Sequence, residues 1–176
     1  YQPYNRDPQT LARPWALPGT PGLEHRLGGL GKEDGTGNVS YDPDDNQHMA
    51  NIRAERIARI ADRIPLQTVM GPKTGDLLVL GWGGTYGAIR SAVKRAQQKG
   101  QKVAATHLRY LNPFPKNLGD ILQRYKQVLV PELNMGQLSL LLNGKFPKHV
   151  ISYPKVQGLP FKISEISDKI DDILGA

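Results

Sequence analysis

The sequence predicts a three-layer α/β domain with a mostly parallel sheet over roughly residues 66–176, preceded by a helix and an extended glycine- and proline-rich arm. Three observations carry this. Short continuous apolar runs, such as residues 76–82 (DLLVLGW) and 127–131 (QVLVP), have the character of strands covered on both faces. Between them lie stretches with apolar residues at i, i+3, i+4 and i+7. The two patterns alternate with short connections, as βαβ units do, and such units give parallel sheets with helices on both faces.

Taken in order, residues 1–17 contain Pro3, Pro8 and Pro14, with Tyr4 and Trp15 as aromatic anchors, and read as an extended arm. Residues 18–49 follow with no helical or strand periodicity. Unstructured runs longer than about 12–15 residues are uncommon in compact domains and are usually functional or disordered. Leu23, Leu27, Leu30, Val39 and Tyr41 argue against disorder. The segment is expected to lie against a surface supplied mostly from outside this chain.

Asp42-Pro43-Asp44-Asp45 places acids at the positive end of a helix dipole and marks a helix start. Met49, Ile52, Ile57, Ile60, Ala61 and Ile64 form an apolar stripe flanked by Arg56, Arg59 and Arg63, and Pro65 ends the helix. A short strand is predicted over 66–70, bounded by Gly71-Pro72, and a buried one over 76–82. A helix from about Thr85 has Ile89, Ala92, Val93 and Ala96 inward, and Gly100 stops it. Residues 102–108 form the next strand. Leu118, Ile121, Leu122 and Tyr125 repeat the helical spacing, and 127–131 form another buried strand. A helix over 135–143, a strand over 149–153 and a helix over 164–174 complete the domain. The expected division is an arm over 1–45, a linker helix over 46–65 and the α/β domain over 66–176.

Composition narrows the function. Seven of 19 glycines and six of 14 prolines fall within residues 1–45, so the later part holds most of the core-forming sequence. With no cysteine, disulfides and thiolate-held clusters within this chain are excluded. No apolar run approaches the roughly 18–20 residues of a membrane helix, and no secretory signal is evident. Because the chain starts at Tyr1 without a methionine, a piece of a longer polypeptide is expected. A net charge of +7 invites nucleic-acid binding, but no aromatic residues are interleaved with the cations as a stacking platform. An acidic partner or simple solubility accounts for the charge better.

Gly81-Trp82-Gly83-Gly84-Thr85-Tyr86-Gly87 stands where dinucleotide-binding proteins carry G-x-G-x-x-G. Its third glycine is one position late, and the next strand ends in Thr106-His107-Leu108-Arg109 without the ribose-binding acid. The alternatives are a tight turn that lets the helix pack closely and an anion held by the helix start. Glu132, Asn134 and Gln137 fall where a buried strand passes into a helix. They are candidates for helix capping or for a domain or subunit contact rather than for catalysis. The four histidines (His25, His48, His107 and His149) show no metal-ligand spacing, so no metal site is expected. Glu24-His25-Arg26 suits either an exposed charged loop or the binding of a carboxylate or phosphate. The chain presents no complete catalytic set.

The segment LARPWALPGTPGLEHRLGGLGKEDGTGNVSYDPDDNQHM, followed by an arginine-rich helix, resembles the alpha subunit of 2-oxoglutarate:ferredoxin oxidoreductase. That enzyme belongs to the thiamine-diphosphate-dependent 2-oxoacid:acceptor oxidoreductases of bacteria and archaea. GWGGTYGAIRSAV, HLRYLNPFP and VPELNMGQL also resemble its strand–turn–helix joints, and the likeness runs along essentially the whole chain. The resemblance implies that 66–176 correspond to the C-terminal part of the subunit, with a fold like the C-terminal domain of transketolase. Residues 1–45 would be the end of the pyrimidine-binding domain. It also implies a cytoplasmic hetero-oligomer with a beta subunit, oxidising 2-oxoglutarate with coenzyme A and ferredoxin to succinyl-CoA and CO2. Thiamine diphosphate, magnesium and an iron–sulfur cluster are expected in the full complex and none on this fragment alone. Within that reading His25 and Arg26 are candidates for proximity to substrate or coenzyme A. The alternative is a standalone α/β module for protein contacts or small anions.

Overall fold

Four parallel strands make one sheet in the order β2-β1-β3-β4: β1 (Gly75–Trp82), β2 (Val103–Leu108), β3 (Tyr125–Glu132) and β4 (Ile151–Pro154). Leu77 is in register with Val103 on one side and with Gln127 on the other, and Leu129 with Ile151. The computed structural model describes residues 1–175, which divide into two compact units, Tyr1–Ile64 and the part from Pro65 onward.

In the second unit, alternation along the strands separates two apolar layers. Leu78, Leu80, Val128 and Val130 face α3 (Leu118–Gln123) and α4 (Gln137–Lys145), meeting Leu118, Leu122, Leu138 and Leu142. Leu77, Val79 and Leu129 face α2 (Tyr86–Gln98) and α5 (Ile163–Leu174), meeting Ile89, Val93, Ile166 and Ile170. The three expected layers are therefore present. The first crossover moves one way along the sheet and carries its helix on one face. The next two move the other way and carry theirs on the opposite face, as right-handed connections require.

Several boundaries differ from the sequence expectation. Residues 66–70 form no ladder strand, only one antiparallel bridge from Met70 to Ala105. Their side chains are the reason: Leu66 is exposed, and Gln67 and Thr68 bond laterally to β2 through Thr106 and the His107 carbonyl. Tyr125, expected to close a helix, instead begins β3, and its hydroxyl donates to the Pro72 carbonyl at 2.6 Å. The helix α4 starts two residues late because the Asn134 side chain accepts from the amides of Gly136 and Gln137, and Gly136 has φ 95°. The last strand also begins two residues late, at Ile151.

In the first unit, α1 (Pro43–Arg59) starts where the acids predicted: Asp42 caps it by accepting from the amide of Asp44, and Pro43 stands in its first turn. Its apolar stripe is only partly covered, since Met49 is buried whereas Ile57 and Ile60 are exposed. The preceding segment contains no regular helix or strand. It is tied by bridges from Tyr4 to Gly35 and from Lys32 to Val39, and by the Arg59 guanidinium donating to the carbonyls of Pro8 and Gln9. Gly37 is obligatory there: φ is 72°, and a Cβ would stand 2.7 Å from the Tyr4 ring. Part of the long loop thus rests on the chain's own N-terminal residues. No helix among the described residues is long and apolar enough to cross a membrane.

Candidate functional site

In an open parallel sheet the ligand-binding crevice lies beyond the carboxyl ends of the strands, where the strand order reverses. Here that point is between β1 and β3, because β2 lies on the other side of β1. The turn after β1 and the segment after β3 meet there: a Cβ on Gly84 would stand 3.7 Å from Leu133.

The turn after β1 is filled by its own residues. Thr85 is buried, and its hydroxyl donates to the Trp82 carbonyl at 2.8 Å and accepts from the Trp82 amide at 3.2 Å. A Cβ on Gly81 would stand 2.6 Å from that hydroxyl and would also meet Ile89 of α2. The glycine therefore serves close packing of helix on strand, and the threonine hydroxyl is spent on the turn itself. Of the readings left open by the sequence, the tight turn is the one the geometry favours.

After β3, Glu132 has no exposed surface, and its carboxylate accepts from the amides of Leu138 and Ser139 at 2.8 and 2.9 Å and from the Ser139 hydroxyl at 2.7 Å. These are amides of the first turn of α4, which no helical carbonyl can satisfy. Glu132 thus caps α4 from inside the domain, so its side chain is not available for a surface contact. Asn134 is half-buried and Gln137 exposed, and both remain at the surface. Beside them Met135, Leu140 and Leu141 are exposed apolar residues.

His107, at the end of β2, stacks edge-on to Tyr86 with ring centroids 5.1 Å apart. Burial, and secondarily the charge of Arg109, hold its imidazole below the ordinary histidine value. Its Nδ1 is enclosed without a hydrogen-bond partner. The side chain is a neutral aromatic element of this edge rather than a cation.

His25 and Arg26 lie in the first unit. The His25 Nδ1 stands 2.8 Å from the Leu23 carbonyl, an acceptor, so that nitrogen carries a proton and the contact orients the ring. The ring is half-buried, edge-on to Tyr1, and lines a cleft of about 510 Å³ together with Arg13, Trp15, Glu24 and Arg56. Arg26 is exposed and does not line it, so the structure separates the two neighbours. Sequence reasoning missed Arg13, Trp15 and Arg56 as companions of His25. It also missed Lys32, which is buried with its ammonium unpartnered, and Asp34, which Arg6 and His48 approach at 3.4 and 3.2 Å. The first three fall at unrelated spacings, and nothing in the local pattern marks Lys32. Among the described residues no group of three or more His, Asp or Glu is placed to hold a metal ion.

The class is defined by comparison with known proteins. Residues 75–159, from the start of β1 to just beyond β4, match the pyruvate:ferredoxin oxidoreductase core domain II. The chain belongs to the 2-oxoacid:ferredoxin oxidoreductase family. Within it the chain is homologous to the alpha subunit of 2-oxoglutarate:ferredoxin oxidoreductase. It is 51% identical over 168 residues to the 2-oxoglutarate oxidoreductase subunit KorA of Mycobacterium tuberculosis, covering 94% of this chain and 25% of that one. A 2-oxoacid:ferredoxin oxidoreductase alpha subunit of Aeropyrum pernix is 28% identical over 155 residues, covering 81% of this chain and 24% of that one. Among solved structures, the 2-oxoglutarate:ferredoxin oxidoreductase of Magnetococcus marinus, with 2-oxoglutarate, coenzyme A and succinyl-CoA bound, superimposes with a TM-score of 0.89. It is 29% identical, and the match covers 99% of this chain and 31% of that one. The chain spans about a quarter of the length of the curated relatives it matches.

Proposed function

We propose that this chain works as the C-terminal part of the alpha subunit of a 2-oxoglutarate:ferredoxin oxidoreductase, supporting the active site and the assembly of subunits. The complex converts 2-oxoglutarate and coenzyme A to succinyl-CoA and CO2, and passes the two electrons released to ferredoxin. The observation that carries the reading is the 51% identity to an alpha subunit along 94% of the chain. The partners are a beta subunit, ferredoxin and coenzyme A within a cytoplasmic hetero-oligomer.

Thiamine diphosphate with magnesium, and an iron–sulfur cluster, belong to that complex. The residues described here do not fit them. A cluster needs thiolates, and the sequence has no cysteine. The one fully buried carboxylate at the switch point, Glu132, has both oxygens engaged by α4. On this reading the chain contributes support: Glu132 sets where α4 begins, and Asn134 and Gln137 offer polar groups beside exposed Met135 and Leu140 for contact with a neighbouring domain or subunit. His25 and Arg26 stand near substrate or coenzyme A.

The test is co-expression with the remaining alpha-subunit domains and the beta subunit, followed by assay of electron transfer to ferredoxin. The expected result is reduction that needs both 2-oxoglutarate and coenzyme A. A purified complex that turns over pyruvate and ignores 2-oxoglutarate would overturn the substrate assignment. In an active complex, Arg26→Ala should raise the apparent KM for an anionic substrate, and an unchanged KM removes Arg26 from the site.

A further inference from the structure

The two units differ sharply in charge. Residues 1–64 carry eight Arg and Lys against nine Asp and Glu, whereas the α/β unit carries fifteen against seven. The whole positive excess of the chain therefore sits on the α/β unit.

Because the four strands are parallel, their starts share one edge of the sheet. Each start has a cation beside it: Lys73 before β1, Lys102 before β2, Arg124 and Lys126 at β3, and Lys148 before β4. Neighbouring strands are spaced about 4.8 Å apart, so this row runs roughly 15 Å across the sheet. Two adjoining depressions of about 540 and 460 Å³ open on it, sharing Asp76, Lys102 and Lys126.

Helix ends explain part of the row. In a βαβ fold the carboxyl ends of the helices point to this same edge, and each carries about half a negative charge. Arg124 follows α3 and Lys99 follows α2, where cations offset that charge. Four such ends supply only about two negative charges. Asp76 is matched by Lys126 at 2.8 Å, and Asp171 by Lys99 at 2.8 Å. Lys148 donates to the carbonyls of Tyr125 and Lys126. That leaves Lys73, Lys102 and Arg124, all exposed, whose side chains make no hydrogen bond or ion pair among the described residues. The field at this edge stays positive after its local acids are counted.

We infer that the amino edge of the sheet is a docking face for an acidic surface of another polypeptide. Charge complementarity fixes the sign of the occupant. The surroundings fix its class: Tyr125, the aromatic residue of this edge, is buried with its hydroxyl bonded to Pro72, so no ring is offered for a nucleic-acid base to stack on. Both depressions are open rather than enclosed, which suits a carboxylate-bearing surface better than a small molecule. This inference is independent of which oxoacid the complex oxidises.

The experiment is fluorescence anisotropy of a fluorescein-labelled octaglutamate peptide titrated with the 176-residue chain. Affinity should fall about tenfold between roughly 20 and 150 mM salt as screening sets in. The triple variant Lys73→Glu, Lys102→Glu, Arg124→Glu should bind about tenfold more weakly or not at all. A control with equal net charge, Arg90→Glu, Lys94→Glu, Arg109→Glu, places the reversals elsewhere on the same unit and should weaken binding no more than about twofold. Thermal unfolding checks both variants, and the neutral pair Lys102→Gln, Arg124→Gln replaces the triple if it unfolds. Equal weakening by both triple variants, or absence of salt-sensitive binding, overturns the docking face. A labelled single-stranded oligonucleotide that binds more tightly than the peptide, and is lost in the edge variant, overturns the class of partner.

Discussion

One oxygen of the Glu132 carboxylate accepts twice from Ser139, 2.9 Å from its amide and 2.7 Å from its hydroxyl, at a position with no exposed surface. The end of a central strand is thereby joined to the beginning of the helix that follows. Glu132→Gln replaces an acceptor oxygen by a donor NH2 facing other donors. It should lower unfolding stability by about 2–4 kcal/mol, and Ser139→Ala, which removes one of the three bonds, by about 1 kcal/mol. Urea unfolding of the chain checks this. A Glu132→Gln midpoint equal to the parent's would show that α4 starts there without it.

Lys155 is nearly buried, and its ammonium lies 2.8 and 2.7 Å from the two Glu165 oxygens. That bond, then the amide of Lys162, holds the Glu165 carboxyl below its ordinary 4.5. A carboxyl depressed on folding contributes stability that is present above the unfolded value and lost as pH falls through the folded one. The melting temperature should therefore decline on acidification below about pH 4.5. Glu165→Gln should be less stable at neutral pH and show a shallower acid decline. An acid limb of unchanged steepness in the variant would exclude the pair as a contributor.

His107 should titrate below 6.5 because burial opposes its charged form. Here too the folded value is depressed, so the associated stability is complete above 6.5 and is lost as pH falls through the folded value. The midpoint of its ring-proton NMR signal reads this directly. A midpoint at or above 6.5 would contradict the enclosed, neutral ring.

Lys32 places an ammonium in a buried position with no partner. Lys32→Met keeps an unbranched side chain one atom shorter and removes the unpaired charge, so the chain should gain about 1–3 kcal/mol in denaturant unfolding. A loss of stability instead would mean that the ammonium finds an acceptor in solution.

The layers of the sheet were legible because a parallel strand covered on both faces must be apolar throughout, and 76–82 and 127–131 have no other economical reading. The start of α1 was equally plain, since Asp42 and Pro43 act on their immediate neighbours. What escaped depends on groups brought together by folding. Residues 66–70 look like a strand by composition, yet their hydrogen bonds come mainly through the side chains of Gln67 and Thr106. Tyr125 fits the helical spacing, but its hydroxyl is satisfied by Pro72, fifty-three positions earlier. Within the candidate site, the capping alternative for Glu132 was readable from its place before a helix. Its dependence on Ser139 was not, nor was the separation of His25 from adjacent Arg26, because loop side chains have no fixed period.

The bridge between Met70 and Ala105 has a consequence for solubility. A sheet's outermost strand exposes unpaired amides and carbonyls, an open template for any extended polypeptide. Along β2 the template is occupied, with Met70 bonded both ways to Ala105 at 2.8 and 2.9 Å and Gln67 reaching the carbonyl of His107. On the opposite side β4 offers only four residues, ending in Pro154. A stray strand therefore finds one margin taken and the other too short, which guards the domain against edge-to-edge polymerisation whether or not its partners are present.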